Sequence, residues 1–272
     1  MVVQHNVTAM NANRQLGITT GAQAKSTEKL SSGYKVNRAA DDAAGLAISE
    51  KMRSQIRGLG KASDNAQTGI SAVQTAEGAL NEVHSILQRV NELATQAAND
   101  INTTTDRAAL ALEIGQLGSE VTRIGNNTTF NNQKLLDGSF KEKKLQVGAQ
   151  AGNEGTIEIN IDDISEFGSS ISALSISTNA SAQNAMSSAQ SMIDSLSTTR
   201  ATLGSIQNRL EHTVANLDTT QENTQSAESL IRDTDMAEQM VDFSKNSILA
   251  QAGQSMLAQA NQLPQSVLSL LQ

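Results

Sequence analysis

A mainly α-helical chain is the fold class that the sequence predicts. It takes the form of a long antiparallel coiled-coil helical rod, with a small β-hairpin region in the middle of the chain and paired N- and C-terminal helices. Three observations predict it. Apolar residues recur at steps of three and four, without a break, from Met52 to Ala97. That is the stripe of one long helix, close to a coiled-coil seam. The 272 residues include a single proline, Pro264, and five aromatics; both favour long helices packed by Ala, Leu, Ile, Val and Met. The same spacing returns between Ala182 and Leu217.

The elements follow in order. Residues 2 to 31 form a weaker amphipathic segment, with Val7, Met10, Leu16, Thr20, Ala24, Thr27 and Leu30 as its stripe. Too little of it is apolar for a helix stable alone. Ser31-Ser32-Gly33 ends it. Residues 34 to 43 show neither helical nor strand period and read as a connector. Asp41 and Asp42 then stand where an N-cap and a first-turn acid favour the next helix. The long stripe runs through Met52, Ile56, Leu59, Ala62, Ala66, Ile70, Val73, Ala76, Leu80, Val83, Leu87, Val90, Ala94 and Ala97. A helix over this stretch extends roughly 80 Å. Gly58, Gly60, Gly69 and Gly78 weaken it, each by about 1 kcal/mol against Ala.

Asn99 to Thr105 is a polar turn, with Thr105 and Asp106 as caps. Leu110, Ile114, Leu117, Val121 and Ile124 then keep a partner-helix spacing. The short connection makes this helix an antiparallel neighbour of the first. Gly125-Asn126-Asn127 stops it. Between 128 and 170 the period changes to two, at Leu145 and Val147 and at Ile157, Ile159 and Ile161, which predicts strands. Gly152-Asn153-Glu154-Gly155 is the hairpin turn. Helix resumes at Ala180 with Ala182, Met186, Ala189, Ile193, Leu196, Arg200, Leu203, Ile206, Leu210, Val214 and Leu217. Asp233-Thr234-Asp235 interrupts or caps it. The last helix starts near Met236 and carries Met240, Leu249, Ala252, Met256, Ala260, Leu263, Val267 and Leu270; Pro264 is expected to kink or restart it.

The plan is a mirror, with an amphipathic segment at each end. Neither end segment has enough apolar surface to form a domain alone. Pairing of the two ends, with each pair packed on copies of itself, satisfies both. The expected divisions are 1–43, an N-terminal helix and connector; 44–178, a rod part with the hairpin region; 179–234, the long return helix; and 235–272, the C-terminal helix. This describes an assembling subunit.

Other classes fit less well. The net charge is −8, against the basic face of a nucleic-acid binder; Lys141 to Lys144 is one short cluster. There is no cysteine, hence neither a disulfide nor a thiolate site. The N-terminus lacks the basic and apolar regions of a cleaved Sec signal, and no stretch reaches the ~18 apolar residues of a membrane span. The three histidines are scattered, so no zinc site is expected. The acid pairs read as caps, the methionines as core, and no nucleophile elbow or phosphate loop occurs. An enzyme is not expected, nor any cofactor.

Six stretches resemble bacterial flagellin. They are KLSSGYKVNRAADDAAGLAISEKMRSQIRGL (29–59), QTGISAVQTAEGALNEVHSILQRVNELATQAAN (67–99) and TTFNNQKLLDGSF (128–140), followed by LGSIQNRLEHTVANL (203–217), AESLIRDTDMAEQM (227–240) and SMLAQANQLPQSVLSLLQ (255–272). The resemblance implies a secreted structural subunit of the extracellular flagellar filament, for motility, in a short form without outer variable domains. Leu16, Leu30, Leu249, Met256, Leu263, Val267 and Leu270 are the expected inner-core assembly residues. Asn37, Arg38, Asp41 and Asp42 are the expected connector between layers. It implies partners too: further copies of the chain, an export chaperone on residues 235–272, and filament cap and hook–filament junction proteins, after unfolded export through the flagellar type III apparatus. It also implies contact with the vertebrate Toll-like receptor for flagellin through Gln88, Arg89, Glu92 and Leu93, with Glu113 on the facing helix. Asn91 stands where many receptor-active members carry Arg. The alternative from another class is a coiled-coil effector or translocator of a virulence-type secretion system.

Overall fold

The computed structural model describes residues 6–150, 152 and 155–270, with side chains in the last helix as far as Gln262. Among them are six helices, α1 (Val7–Ser32), α2 (Ala43–Ala97), α3 (Thr104–Asn127), α4 (Ser165–Ser172), α5 (Asn179–Arg232) and α6 (Met236–Leu270). Two antiparallel strand pairs join β1 (Thr129–Phe130) to β2 (Gln133–Lys134) and β3 (Lys143–Gln146) to β4 (Thr156–Ile159). The chain divides into two compact units, Met1–Ile56 with Glu222–Gln272, and Arg57–Gln221. No helix among the described residues is long and apolar enough to cross a membrane.

The terminal unit pairs α1 with α6. Asn6 caps α1, accepting from the Ala9 N–H at 3.0 Å. Gly33 ends it at φ +75°, its N–H donating to the Lys29 carbonyl; a glycine takes this left-handed position without a Cβ clash. Asp235 caps α6, accepting from the Ala237 and Glu238 N–H groups at 2.8 and 3.2 Å. The helices run antiparallel: Asn6 donates to the Ala260 carbonyl at 2.7 Å, and Gln239 donates to Ser26 Oγ at 3.0 Å. Ser26, Ala250 and Ala260 are buried. The expected restart at Pro264 does not occur, and α6 is one element to Leu270. Proline's fixed φ is compatible with a helix, although its ring removes one donor and crowds the carbonyl four residues back.

In the second unit α2 carries the core stripe. Leu59, Ala62, Ala66, Val73, Ala76, Leu80, Val83, Leu87, Val90, Ala94 and Ala97 are all buried. The helix starts at Asp42, whose Oδ1 accepts from the Gly45 N–H at 2.9 Å. α5 runs antiparallel beside α2. Ser63 donates to Asp218 at 3.0 Å, Arg200 pairs with Glu77 at 3.6 Å, and Asn179 donates to the Ala98 carbonyl. α5 buries a second row, Ala185, Met192 and Thr199, beside the expected one. Thr199 donates to Asp162 at 3.4 Å, so α5 has a neighbour besides α2.

α3 is also antiparallel to α2, with Arg89 donating to Glu113 at 3.0 Å and Arg107 donating to the Ala97 carbonyl at 3.0 Å. Its cap is Thr103 rather than the expected Thr105. Thr103 and Asp106 form a reciprocal capping box, which satisfies two end donors at once.

The segment 128–170 is the expected β region. It holds the strand pair β3–β4, in which Leu145 faces Ile157, but also a tight hairpin β1–β2 and the helix α4. Asn131 and Asn132 form the β1–β2 turn at φ +48° and +60°, where Asn is tolerated better than most residues. At eight residues, α4 is too short for its period to stand out. In the expected β3–β4 turn, Asn153 and Glu154 lie outside the described residues; Gly155 donates back to the Gly152 carbonyl at 3.3 Å.

Glycines mark where elements approach. A Cβ on Gly58 would stand 3.0 Å from Ala149 Cβ, and one on Gly69 would overlap the Leu145 side chain. Asn65 also donates to the Gln146 carbonyl at 3.0 Å. These glycines make room on α2 for the β3–β4 hairpin.

Candidate functional site

The α1–α6 pair leaves apolar residues uncovered. On α1, Val7 and Ile18 lie opposite Leu16, which is half-buried beside Gly253 of α6. On α6, Val241, Ile248, Leu249 and Met256 fall within about a third of the helix circumference. They are exposed, Val241 to 68%, Ile248 to 67% and Met256 to 62%. Met10, Met236 and Met240 are exposed as well. Elsewhere among the described residues, the exposed large apolar residues are Tyr34, Ile48 and Leu230 in the same unit and Ile101 and Leu112 in the second. Most of the exposed large apolar residues described lie on this helix pair, the pattern expected of an interaction surface.

The expected inner-core residues divide between two environments. Leu16 and Leu30 are half-buried, whereas Leu249 and Met256 face outward. The side chains of Leu263, Val267 and Leu270 lie outside the described residues. The outward face extends to Val7, Ile18, Val241 and Ile248, none of which the motif-based set of expected residues contains. The signal for Val241 and Ile248 was in the composition of α6, which is apolar on two sides and so presents no single stripe.

In the connector, Asp41 draws several groups together. Its Oδ2 accepts from the Arg38 N–H at 3.1 Å and the Asn37 N–H at 3.4 Å, and its Oδ1 accepts from Lys25 Nζ at 3.2 Å. The Arg38 N–H and then Lys25 hold its carboxyl below the ordinary value. Asn37 donates to Ser32 at 2.8 Å and Arg38 pairs with Glu28 at 2.9 Å. Val36 is buried. Asn37, Arg38 and Asp41 therefore form one folded turn tied to α1, and Asp42 leads into α2.

The residues expected at a receptor contact also gather. Arg89 bridges Glu113 at 3.0 Å and Glu92 at 3.2 Å. Glu113 first, then Glu92, raises the guanidinium above its ordinary value. Gln88 lies one turn from His84, their nitrogens 3.0 Å apart. Leu93 is 1% exposed and belongs to the core, so of the five expected contact residues it alone is covered.

Two of the remaining acids serve element ends. Asp163 accepts from the Ser165 N–H and hydroxyl, and Asp233 accepts from Ser229. Three further residues were not singled out from sequence: Tyr34, Glu50 and Arg232. The Arg232 guanidinium lies 4.7 Å from the Tyr34 ring centroid, and its Nη1 is 2.7 Å from Glu50.

Comparison with known proteins identifies the family. Residues 3–141 match the bacterial flagellin N-terminal helical region, and residues 186–271 match the C-terminal helical region. The chain is 53% identical to a flagellin of Halalkalibacterium halodurans over the whole of both proteins. It is 49% identical, again over both full lengths, to a flagellar filament core protein of Treponema maltophilum. The crystal structure of Bacillus cereus flagellin superposes with a TM-score of 0.50 at 31% identity, covering 57% of this chain and 88% of that one. Two matched terminal regions and full-length identity above half make this chain a member of the bacterial flagellin family, in a short form.

Proposed function

We propose that this chain polymerises through the outward apolar faces of α1 and α6, each pair packing on copies of itself. Membership in the family makes it a structural subunit of the extracellular bacterial flagellar filament rather than an enzyme. The observation that supports the interface is the cluster of exposed Val7, Ile18, Val241, Ile248, Leu249 and Met256 on one helix pair. Burying such area from water drives association. In this reading residues 1–43 and 235–272 form the inner layer of the filament. Residues 44–178 and 179–234 form the outer layer, and the turn at Asn37, Arg38, Asp41 and Asp42 sets their junction.

The test compares the full chain with one lacking residues 1–31 and 236–272, each supplied with short filament fragments as seeds. Sedimentation and negative-stain images are expected to show thin, smooth filaments from the full chain alone. Filaments from the truncated chain would overturn the interface.

The same surface bears on export and partners. A helix apolar on two sides polymerises early unless held, so a cytoplasmic chaperone covers residues 235–272 until export. Passage through the flagellar type III apparatus is unfolded, and a chain without cysteine has no disulfide to resist it. Cap and hook–filament junction proteins meet the polymer at its two ends, where this surface is free.

Arg89, with Gln88, Glu92 and Glu113, forms an exposed charged group suited to the vertebrate Toll-like receptor for flagellin; arginine is common among interface hot spots. Arg89→Ala is expected to weaken binding to the receptor ectodomain by on the order of tenfold. Unchanged affinity would remove Arg89 from the contact.

A further inference from the structure

We propose that Arg232 is a positioning residue for assembly: with Tyr34 and Glu50 it closes a clasp that holds the two inter-helix linkers side by side. The proposal rests on the reading of α1 and α6 as the polymerising pair. It concerns how that pair is aimed.

The linkers are short and they meet. Gly33 to Asp42 joins α1 to α2, and Asp233 to Asp235 joins α5 to α6. Tyr34 and Asp233 form one antiparallel bridge. The Lys35 N–H donates to the Arg232 carbonyl at 2.7 Å, and the Thr234 N–H donates to the Gly33 carbonyl at 3.0 Å. So small a ladder is marginal in water by itself.

Arg232, the last residue of α5, adds side-chain contacts to it. Its guanidinium lies over Tyr34, a cation–π arrangement. Its Nη1 reaches Glu50 on α2, and Glu50 also accepts from Arg53 at 3.0 Å. The Arg232 side chain is only 12% exposed. A planar guanidinium both stacks on a ring and pairs with a carboxylate; an ammonium does not reproduce the stack.

Location gives the clasp its leverage. α1 ends two residues before Tyr34, and α6 begins four residues after Arg232. At 1.5 Å per residue, a swing of about ten degrees at Met236 displaces Ala260 by about 6 Å. That is more than a packed apolar interface tolerates.

Tyr34 is the chain's one tyrosine and there is no tryptophan, so ultraviolet emission reports on the clasp directly. Wild type, Arg232→Gln, Arg232→Lys and Glu50→Gln full-length chains are compared in seeded elongation and in acrylamide quenching of Tyr34. Circular dichroism melting serves as the check on folding. Arg232→Gln is expected to slow elongation by on the order of tenfold and to raise quenching, without lowering the main melting transition. Arg232→Lys recovers part of the rate, and Glu50→Gln shows a smaller loss in the same direction. Elongation of Arg232→Gln at the wild-type rate, or slow elongation with unchanged quenching, overturns the clasp. A wild-type chain that adds to no seed overturns the assembly reading instead. The quenching comparison then still decides whether the clasp is closed.

Discussion

Ile248→Asp is expected to leave the monomer folded and to stop seeded elongation. Ile248 is exposed on α6, so the substitution removes no internal packing. Surface changes of this kind stay within about 0.5 kcal/mol of neutral. In the proposed polymer the same position is covered by another copy. Taking an unpaired carboxylate out of water costs several kcal/mol after relaxation, and every subunit of the polymer would bear that cost. Val241→Asp and Met256→Asp, on the same face, should behave alike, whereas Ile248→Leu should elongate normally. Seeded growth followed by light scattering reads the effect, and circular dichroism of the monomer reads folding. Normal filaments from Ile248→Asp would mean that this face is not buried in the polymer.

Two glycine substitutions should shift stability in opposite directions. Gly168→Ala is expected to destabilise the unit Arg57–Gln221 by about 1–3 kcal/mol, the usual range for overpacking. Gly78→Ala should stabilise it by about 0.5–1 kcal/mol. Gly168 of α4 lies against Gly118 of α3, and an added Cβ would stand 2.6 Å from the Gly118 carbonyl oxygen and from Thr122 N. Both are backbone atoms of a packed helix, so the helices themselves must separate. Gly78 is exposed within α2 and a Cβ there meets nothing within 4 Å. Its replacement only reduces the freedom of the unfolded chain. Thermal melting should separate the two variants by several degrees, at about 2–4 °C per kcal/mol for a unit of this size. A Gly168→Ala chain that melts like wild type would show that α3 and α4 can part freely.

Much of the fold was legible because it depends on short-range rules. The stripes of α2, α3 and α5 repeat every few residues. Gly33, Asp42 and Asp235 act as caps through bonds to groups at most four positions away. The alternation around Leu145 and Ile157 needs only period two. Amphipathic segments at both ends, in a chain with no other partner for them, already imply that the ends pair. The family motifs lie in these same regions, and the family assignment was readable from them.

Other features are properties of apposition. Glu50 and Arg232 are 182 positions apart, and no local pattern links them. Whether a glycine in a helix is a weakness or a contact depends on what crosses it; Gly69 meets Leu145 while Gly78 meets nothing. Leu93 sits in a motif whose neighbours are exposed, yet the packing of α2 buries it. The choice between the two apolar sides of α6 is of the same kind. Periodicity reports that a side chain avoids water without naming the surface that covers it. The sequence alone therefore determined the helices, their caps and the family. Tertiary structure decided which face of each helix was already covered and which was left exposed.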